Sequence, residues 1–182
     1  MKKAVFTFAA MMIALAMSAQ ENLFRKGDKA LNVGLGLGTT LYSGAGFKGT
    51  IPPVSVSLEY GFKDEVLEKG SIGLGGYLGI AGSKYEFMGF GWEYTYIIVG
   101  ARGVFHYPLV NKMDTYTGMM LGYNIIRAKE IGTPLLGVSP SASGVAWSWF
   151  AGARYYFTDN IGALLELGYG ISYLNLGLAV KL

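Results

Sequence analysis

From Asp28 onward, apolar side chains alternate with glycine and small polar residues at a period of two, the signature of β-strands with two chemically different faces. Leu31, Val33, Leu35, Leu37, Thr39 and Leu41 share one face of a first run, opposite Asn32, Gly34, Gly36, Gly38 and Thr40. A second run sets Val54, Val56, Leu58, Tyr60 and Phe62 against Ser55, Ser57, Glu59 and Gly61, and a third sets Ile72, Leu74, Leu78 and Ile80 against Gly73, Gly75, Tyr77 and Gly79. In the fourth, over 93–107, Val99, Ala101 and Phe105 are assigned outward so that Arg102 and His106 share the inner face. The fifth covers 115–124; the sixth carries Trp147, Trp149, Ala151, Ala153, Tyr155 and Phe157 on one side; the seventh covers 162–170; the eighth alternates from Tyr173 to Leu182.

A soluble sandwich also alternates, so the second face decides. Here it holds glycine, serine and isolated charges rather than the many Lys and Glu of a solvated surface. In a closed barrel of eight strands the interior just accommodates side chains, and glycine relieves crowding there. The predicted fold is therefore all-β: a single closed antiparallel transmembrane barrel of about eight strands, up-and-down, with its apolar face toward lipid. Closure follows from the bilayer, because an unpaired backbone N–H or C=O in hydrocarbon costs several kcal/mol. The uncharged stretch Ile131 to Ala153 is no membrane helix, since Pro134, Pro140 and four serines interrupt it.

The first residues have a different pattern. Lys2 and Lys3 precede an apolar run from Ala4 to Ala16, and Ala16-Met17-Ser18-Ala19 supplies small residues for cleavage, so residues 1–19 read as a secretory signal peptide. Residues 20–28 then form a short periplasmic segment, and 29–182 the barrel. Composition agrees: 28 glycines and 13 tyrosines beside 15% charged residues favour strands and turns. With no cysteine, disulfides and thiolate chemistry are excluded. Without Lys2 and Lys3 the balance is 13 basic to 12 acidic residues, and no clustered basic face suits nucleic acid.

With the first strand rising from the periplasm, Tyr60, Phe62, Phe105, Tyr155 and Phe157 form a periplasmic aromatic girdle and Tyr123, Trp147, Trp149 and Tyr169 an outer one. Turns at 64–69, 108–112 and 158–161 are periplasmic. Loops over 43–53, 83–92 and 125–145 lie outside, and the connection at 170–172 must be tight.

Lys26 to Gly34, Gly100-Ala101-Arg102-Gly103 leading to His106-Tyr107, Gly152 to Phe157 and Glu166 to Gly170 together resemble the small outer-membrane β-barrel family of Gram-negative bacteria, a porin-like group with the size of OmpX and the OmpA transmembrane domain. The resemblance spans nearly the whole chain after the signal. It implies residence in the outer membrane, contact with outer-membrane lipid and lipopolysaccharide, and insertion by the barrel-assembly machinery, which reads a C-terminal strand ending here in Leu182 instead of the commoner phenylalanine.

Candidate chemistry is sparse. Glu59, Arg102, Arg154 and Glu166 project inward at similar depth and are expected to form one layer of salt bridges, centred on Arg154 and Glu166, that plugs the lumen. His106 is the one candidate for a lipid-modifying hydrolase, but its periplasmic depth and the lack of a supporting Ser and acid assign it a structural or interfacial role. One histidine without cysteine also argues against a zinc site. The glycine-rich stretches at 34–38 and 73–79 lack the lysine and hydroxyl residue of a phosphate loop. No catalytic residue, cofactor or metal is expected. The leading function is a non-enzymatic outer-membrane barrel with a filled lumen, acting in envelope structure or in surface interaction with an unidentified partner through 126–145 and Tyr85 to Trp92; the alternatives are a narrow diffusion channel, a lipid A-modifying enzyme and a soluble periplasmic barrel.

Overall fold

In the computed structural model, residues 22–87, 89–132 and 142–182 are described; the expected signal peptide, Met88 and residues 133–141 lie outside them. None of the described residues is helical. Eight strands, β1 (Lys29–Leu37), β2 (Phe47–Val66), β3 (Gly70–Phe87), β4 (Phe90–His106), β5 (Met113–Ile131), β6 (Gly144–Tyr156), β7 (Ile161–Tyr169) and β8 (Leu174–Lys181), form a closed antiparallel barrel in sequence order. β1 and β8 complete the ring, with Ala30 opposite Lys181 and Leu37 opposite Leu174.

The alternation sorts the side chains as the sequence predicts. Val33, Leu35, Leu58, Leu74, Val99, Leu121, Leu165 and Leu178 stand exposed on the outer wall, while Asn32, Ser57, Glu59, Arg102 and Glu166 are buried inside. The third and fourth runs keep their expected registers, with Gly73, Gly75, Arg102 and His106 inward. Cross-strand partners Lys29, Tyr60, Leu74, Gly103, Met119, Trp149 and Tyr169 climb from the start of β1 to the end of β7, so one turn round the barrel also ascends it. That stagger is the tilt a small closed barrel requires.

The lumen departs from the expected filling of glycine, serine and ions. Ile98, Val104, Met120, Phe150, Leu164 and Ile171 form a buried apolar cluster inside it together with Tyr116. The cause is the limited supply of polar partners: an inward position with no matching ion or hydrogen-bond acceptor costs least when apolar.

Strand lengths also differ from the expected ones. Parts of the segments 43–53, 83–92 and 125–145, expected as outer loops, are strand: β2 starts at Phe47, β3 and β4 run to a turn around Gly89, and β5 continues to Ile131. Above the bilayer the outer wall meets water, so apolar alternation fades although backbone pairing continues. On the other side β1 stops at Leu37, before Gly38 with its φ of 65°, and β7 and β8 meet in a short connection at Gly170 with φ 139°. A tall sheet of β2–β6 thus rises beside a low rim of β7, β8 and β1. Pro52 and Pro53 fall where the β1–β2 ladder ends and the β2–β3 register shifts, positions that tolerate a missing N–H donor.

Val33 lies midway along the lipid-facing side of β1. Replacing it with arginine is expected to lower the unfolding free energy in lipid vesicles by about 2–4 kcal/mol, read from urea titration of tryptophan fluorescence.

Candidate functional site: the charged lumen

Position two residues along a strand decides which charges meet. Glu166 lies opposite Gly152, whereas Arg154 lies opposite Asp114 on its other side. Arg154 therefore does not pair with Glu166, and the expected single charged layer is two.

In the upper layer Arg102 Nη2 donates to Glu166 Oε1 at 2.5 Å, Tyr116 Oη donates to the same oxygen at 2.8 Å and Asn175 Nδ2 approaches Oε2 at 3.4 Å. Arg102 Nη1 also donates to Ser57 Oγ, which accepts a second bond from Asn32 Nδ2 at 3.0 Å. Its guanidinium lies 3.9 Å from the centre of the Phe150 ring. A buried guanidinium thus has a carboxylate, a hydroxyl and an aromatic face around it, the surroundings in which a charge tolerates loss of water.

In the lower layer Arg154 is fully buried and bonds two carboxylates, Asp114 Oδ2 at 3.0 Å and Glu59 Oε2. The other oxygens of those two groups receive His106: Nδ1 lies 2.8 Å from Asp114 Oδ1 and Nε2 2.5 Å from Glu59 Oε1. Two carboxylate acceptors on two ring nitrogens call for two N–H donors, which only an imidazolium has. The lumen then holds three cations, Arg102, Arg154 and His106, against three carboxylates, Glu59, Asp114 and Glu166. Tyr116 joins the layers, with its hydroxyl on Glu166 and its ring 4.6 Å from the Arg154 guanidinium. Glycine makes the space: a Cβ on Gly73 would stand 2.2 Å from Glu59 Oε1, and one on Gly152 2.7 Å from the Tyr116 ring.

Asp114 lies one step before the fifth run as the sequence defines it, from Thr115; extending the inward series Gly118, Tyr116 by one more step reaches it. The residues before β1, expected as a plain periplasmic segment, also take part. Phe24 is fully buried and stacks on His106 with centroids 4.4 Å apart, 5.5 Å from the Arg154 guanidinium. Ser71 Oγ donates to the Phe24 carbonyl at 2.5 Å, Asn22 Nδ2 to the Lys69 carbonyl, and the Lys26 N–H to Asp64 at 2.6 Å. The segment is a stopper in the mouth of the barrel at which β1 begins.

Ser71 is the cross-strand partner of His106, so a serine and two acids do surround the histidine, contrary to expectation. The arrangement is still not hydrolytic, since Nδ1 and Nε2 both face carboxylates, Ser71 bonds a backbone carbonyl, and His106 and Ser71 are fully buried. Among the described residues no group of histidine and acids fits a metal ion.

The aromatic residues of the two expected girdles are on the wall. Tyr60, Phe62, Tyr155 and Phe157 are exposed toward the end of the barrel where β1 begins and Phe105 is half-buried beside Tyr107. Tyr123, Trp147, Trp149 and Tyr169 are exposed toward the opposite end, with the rings of Trp147 and Tyr169 5.4 Å apart.

Arg154→Met removes the partner of two buried carboxylates and is expected to lower stability by about 3–5 kcal/mol in urea unfolding; adding Glu59→Gln and Asp114→Asn recovers part of the loss.

No family model matches the sequence, and no curated protein matches it. Among solved structures, the Yersinia pestis outer membrane protein Ail in a phospholipid bilayer nanodisc is similar at 17% identity, covering 86% of this chain and 100% of that one, with a TM-score of 0.50. The N-terminal β-barrel domain of Pseudomonas aeruginosa OprF matches at 14% identity over 87% of this chain and 98% of that one, TM-score 0.44. A transmembrane β-barrel designed de novo matches at 16% identity over 87% and 98%, TM-score 0.46. With an apolar wall and a closed ring of eight antiparallel strands, the chain has the fold of a small transmembrane β-barrel, similar to that of Ail.

Proposed function

We propose that this chain is a non-enzymatic barrel whose lumen is filled by its own side chains, and that it contributes to envelope structure and to surface contacts through the sheet of β2–β6 that stands above the membrane. The observation that carries this reading is the sequence of obstructions along the axis. Phe24 fills one mouth, the Glu59–Asp114–His106–Arg154 layer lies behind it and the Arg102–Glu166 layer follows, with the apolar cluster packed along both, Leu164 opposite Arg154 and Met120 opposite Arg102. Each ion there has its partners within the protein, so a permeating ion would have to break buried pairs without hydration to replace them.

The cavity beside Arg102, Glu166, Ser148 and Asn175 has about 30 Å³ of room, the scale of one or two waters and far below that of a substrate. Lipopolysaccharide around the wall and the assembly machinery during insertion are the partners this reading entails. The projecting sheet carries Tyr85, Tyr94, Tyr96 and Phe47 in one ring-to-ring cluster with Tyr42 on its inner side, which stiffens it as a platform.

In planar bilayers the purified protein is expected to give no stable open-channel current. Phe24→Ala is expected to stay closed as well, because both ion layers lie above the stopper; steady conductance in either protein would identify a diffusion channel instead. Mass spectra of lipid A from cells with and without the gene are expected to be identical, and a mass change of one acyl chain or headgroup would identify an enzyme.

A further inference from the structure

The inner face of the projecting sheet is built differently from the lumen below it. Its upper row of cross-strand partners is Phe47, Tyr85, Trp92 and Glu130; Ser83, Tyr94 and Ala128 form the next row down. The β3–β4 tip adds Phe87 opposite Phe90 on the same face, 63% and 43% exposed. With strands about 4.8 Å apart, the upper row spans about 14 Å.

These rings touch without closing over one another. The centroids of Phe47 and Tyr85 lie 5.1 Å apart and those of Phe47 and Tyr94 6.2 Å apart, yet Phe47, Tyr85, Trp92 and Tyr94 are all only half-buried. Trp92 pairs with no other ring among the described residues. Its indole is therefore not covered by an aromatic neighbour.

Charge on this face has one sign. The connection 38–46 and the stretches 131–147 and 167–175 contain no ionic residue. Lys48, Lys84, Glu86, Glu93, Arg127 and Lys129 alternate to the opposite face of the sheet, which separates them from the rings. Glu130, in the inward series of β5 and directly opposite Trp92, is the one ionic residue on the inner face among those described, and it makes no ion pair there.

An aromatic face attracts a cation through the negative charge of its π surface, and a carboxylate beside the ring supplies a counter-ion. An anion would meet Glu130 unopposed, and an apolar occupant would strip that carboxylate of water without replacing it. An ammonium or guanidinium group on a carbon chain meets both demands. The row is longer than one such group and matches about four residues of extended polypeptide.

We propose that the inner face of the projecting sheet is a docking surface for a basic polypeptide segment of an external partner, with a lysine or arginine side chain laid over the Trp92 and Tyr85 rings and its charge on Glu130. The inference rests on the reading that this sheet makes surface contacts, and it gives the partner its chemistry. Folded full-length protein in nonionic detergent, titrated calorimetrically with a short peptide of alternating lysine and serine, is expected to bind it about tenfold more tightly than the same peptide with its lysines acetylated. Glu130→Gln and Trp92→Leu are each expected to weaken binding of the lysine peptide about tenfold, and Trp92→Phe, which keeps a ring, to weaken it less. Glu93→Gln removes the same charge from the opposite face and is expected to leave binding unchanged. Unboiled gel mobility equal to that of the natural chain shows that each variant is folded. Equal binding of the acetylated peptide, or equal losses in Glu93→Gln and Glu130→Gln, overturns the proposal. Tetramethylammonium bound as tightly as the peptide also overturns it, since the site would then serve a free amine. A chain that ignores the peptide yet passes no current in planar bilayers overturns this inference alone, whereas steady current overturns the filled-lumen reading whether or not the peptide binds.

Discussion

In hydrocarbon, every backbone N–H and C=O must find its partner within the protein, and a ring of strands is the one way for extended chain to do so. The rest of this molecule follows from that closure. Eight strands enclose a space too narrow for bulk water, so what points inward is apolar, minute or, when charged, paired with an opposite charge. Each solution occurs: Ile98 and Phe150 in the apolar cluster, Gly73 and Gly152 where neighbours crowd, and six ions that balance to zero when His106 is protonated.

The pairing is distributed rather than local. Glu59 of β2, His106 of β4, Asp114 of β5 and Arg154 of β6 meet at one depth, so the lower layer ties opposite walls together. The tie cannot be replaced piecemeal, since removing one partner leaves the others charged and without water. The residues 22–28 extend the same logic to the mouth, where Phe24 covers His106 and Arg154 and keeps the layer dry.

Much of this was legible in the sequence. A period of two identifies the strands, and the identity of the second face tells a lipid-facing wall from a water-facing one; the inward placement of Arg102, which orders the untidy fourth run, follows from the same rule. What escaped had physical causes. Partner choice among Glu59, Arg102, Arg154 and Glu166 depends on stagger between strands distant in sequence, which alternation does not encode. Asp114 lay one step past an assumed strand end. Strand length above the membrane was hidden because Lys84, Glu93 and Arg127 break the apolar signal while the backbone goes on pairing. Phe24 belongs to no strand and has no periodicity to reveal it.

The seam between β1 and β8 has a kinetic meaning. It joins Ala30 to Lys181, on the first and last strands, and Leu182 N–H adds a bond to the Lys29 carbonyl. Hairpins such as β3–β4 need only neighbouring residues, but this ladder cannot begin before the last strand has been made and brought across. Until then β1 and β8 both carry open edges. Burial of the lower ion layer likewise waits on a complete wall, so partial rings gain little stability, and the acquisition of a native barrel approaches an all-or-none event timed by the arrival of β8 beside β1.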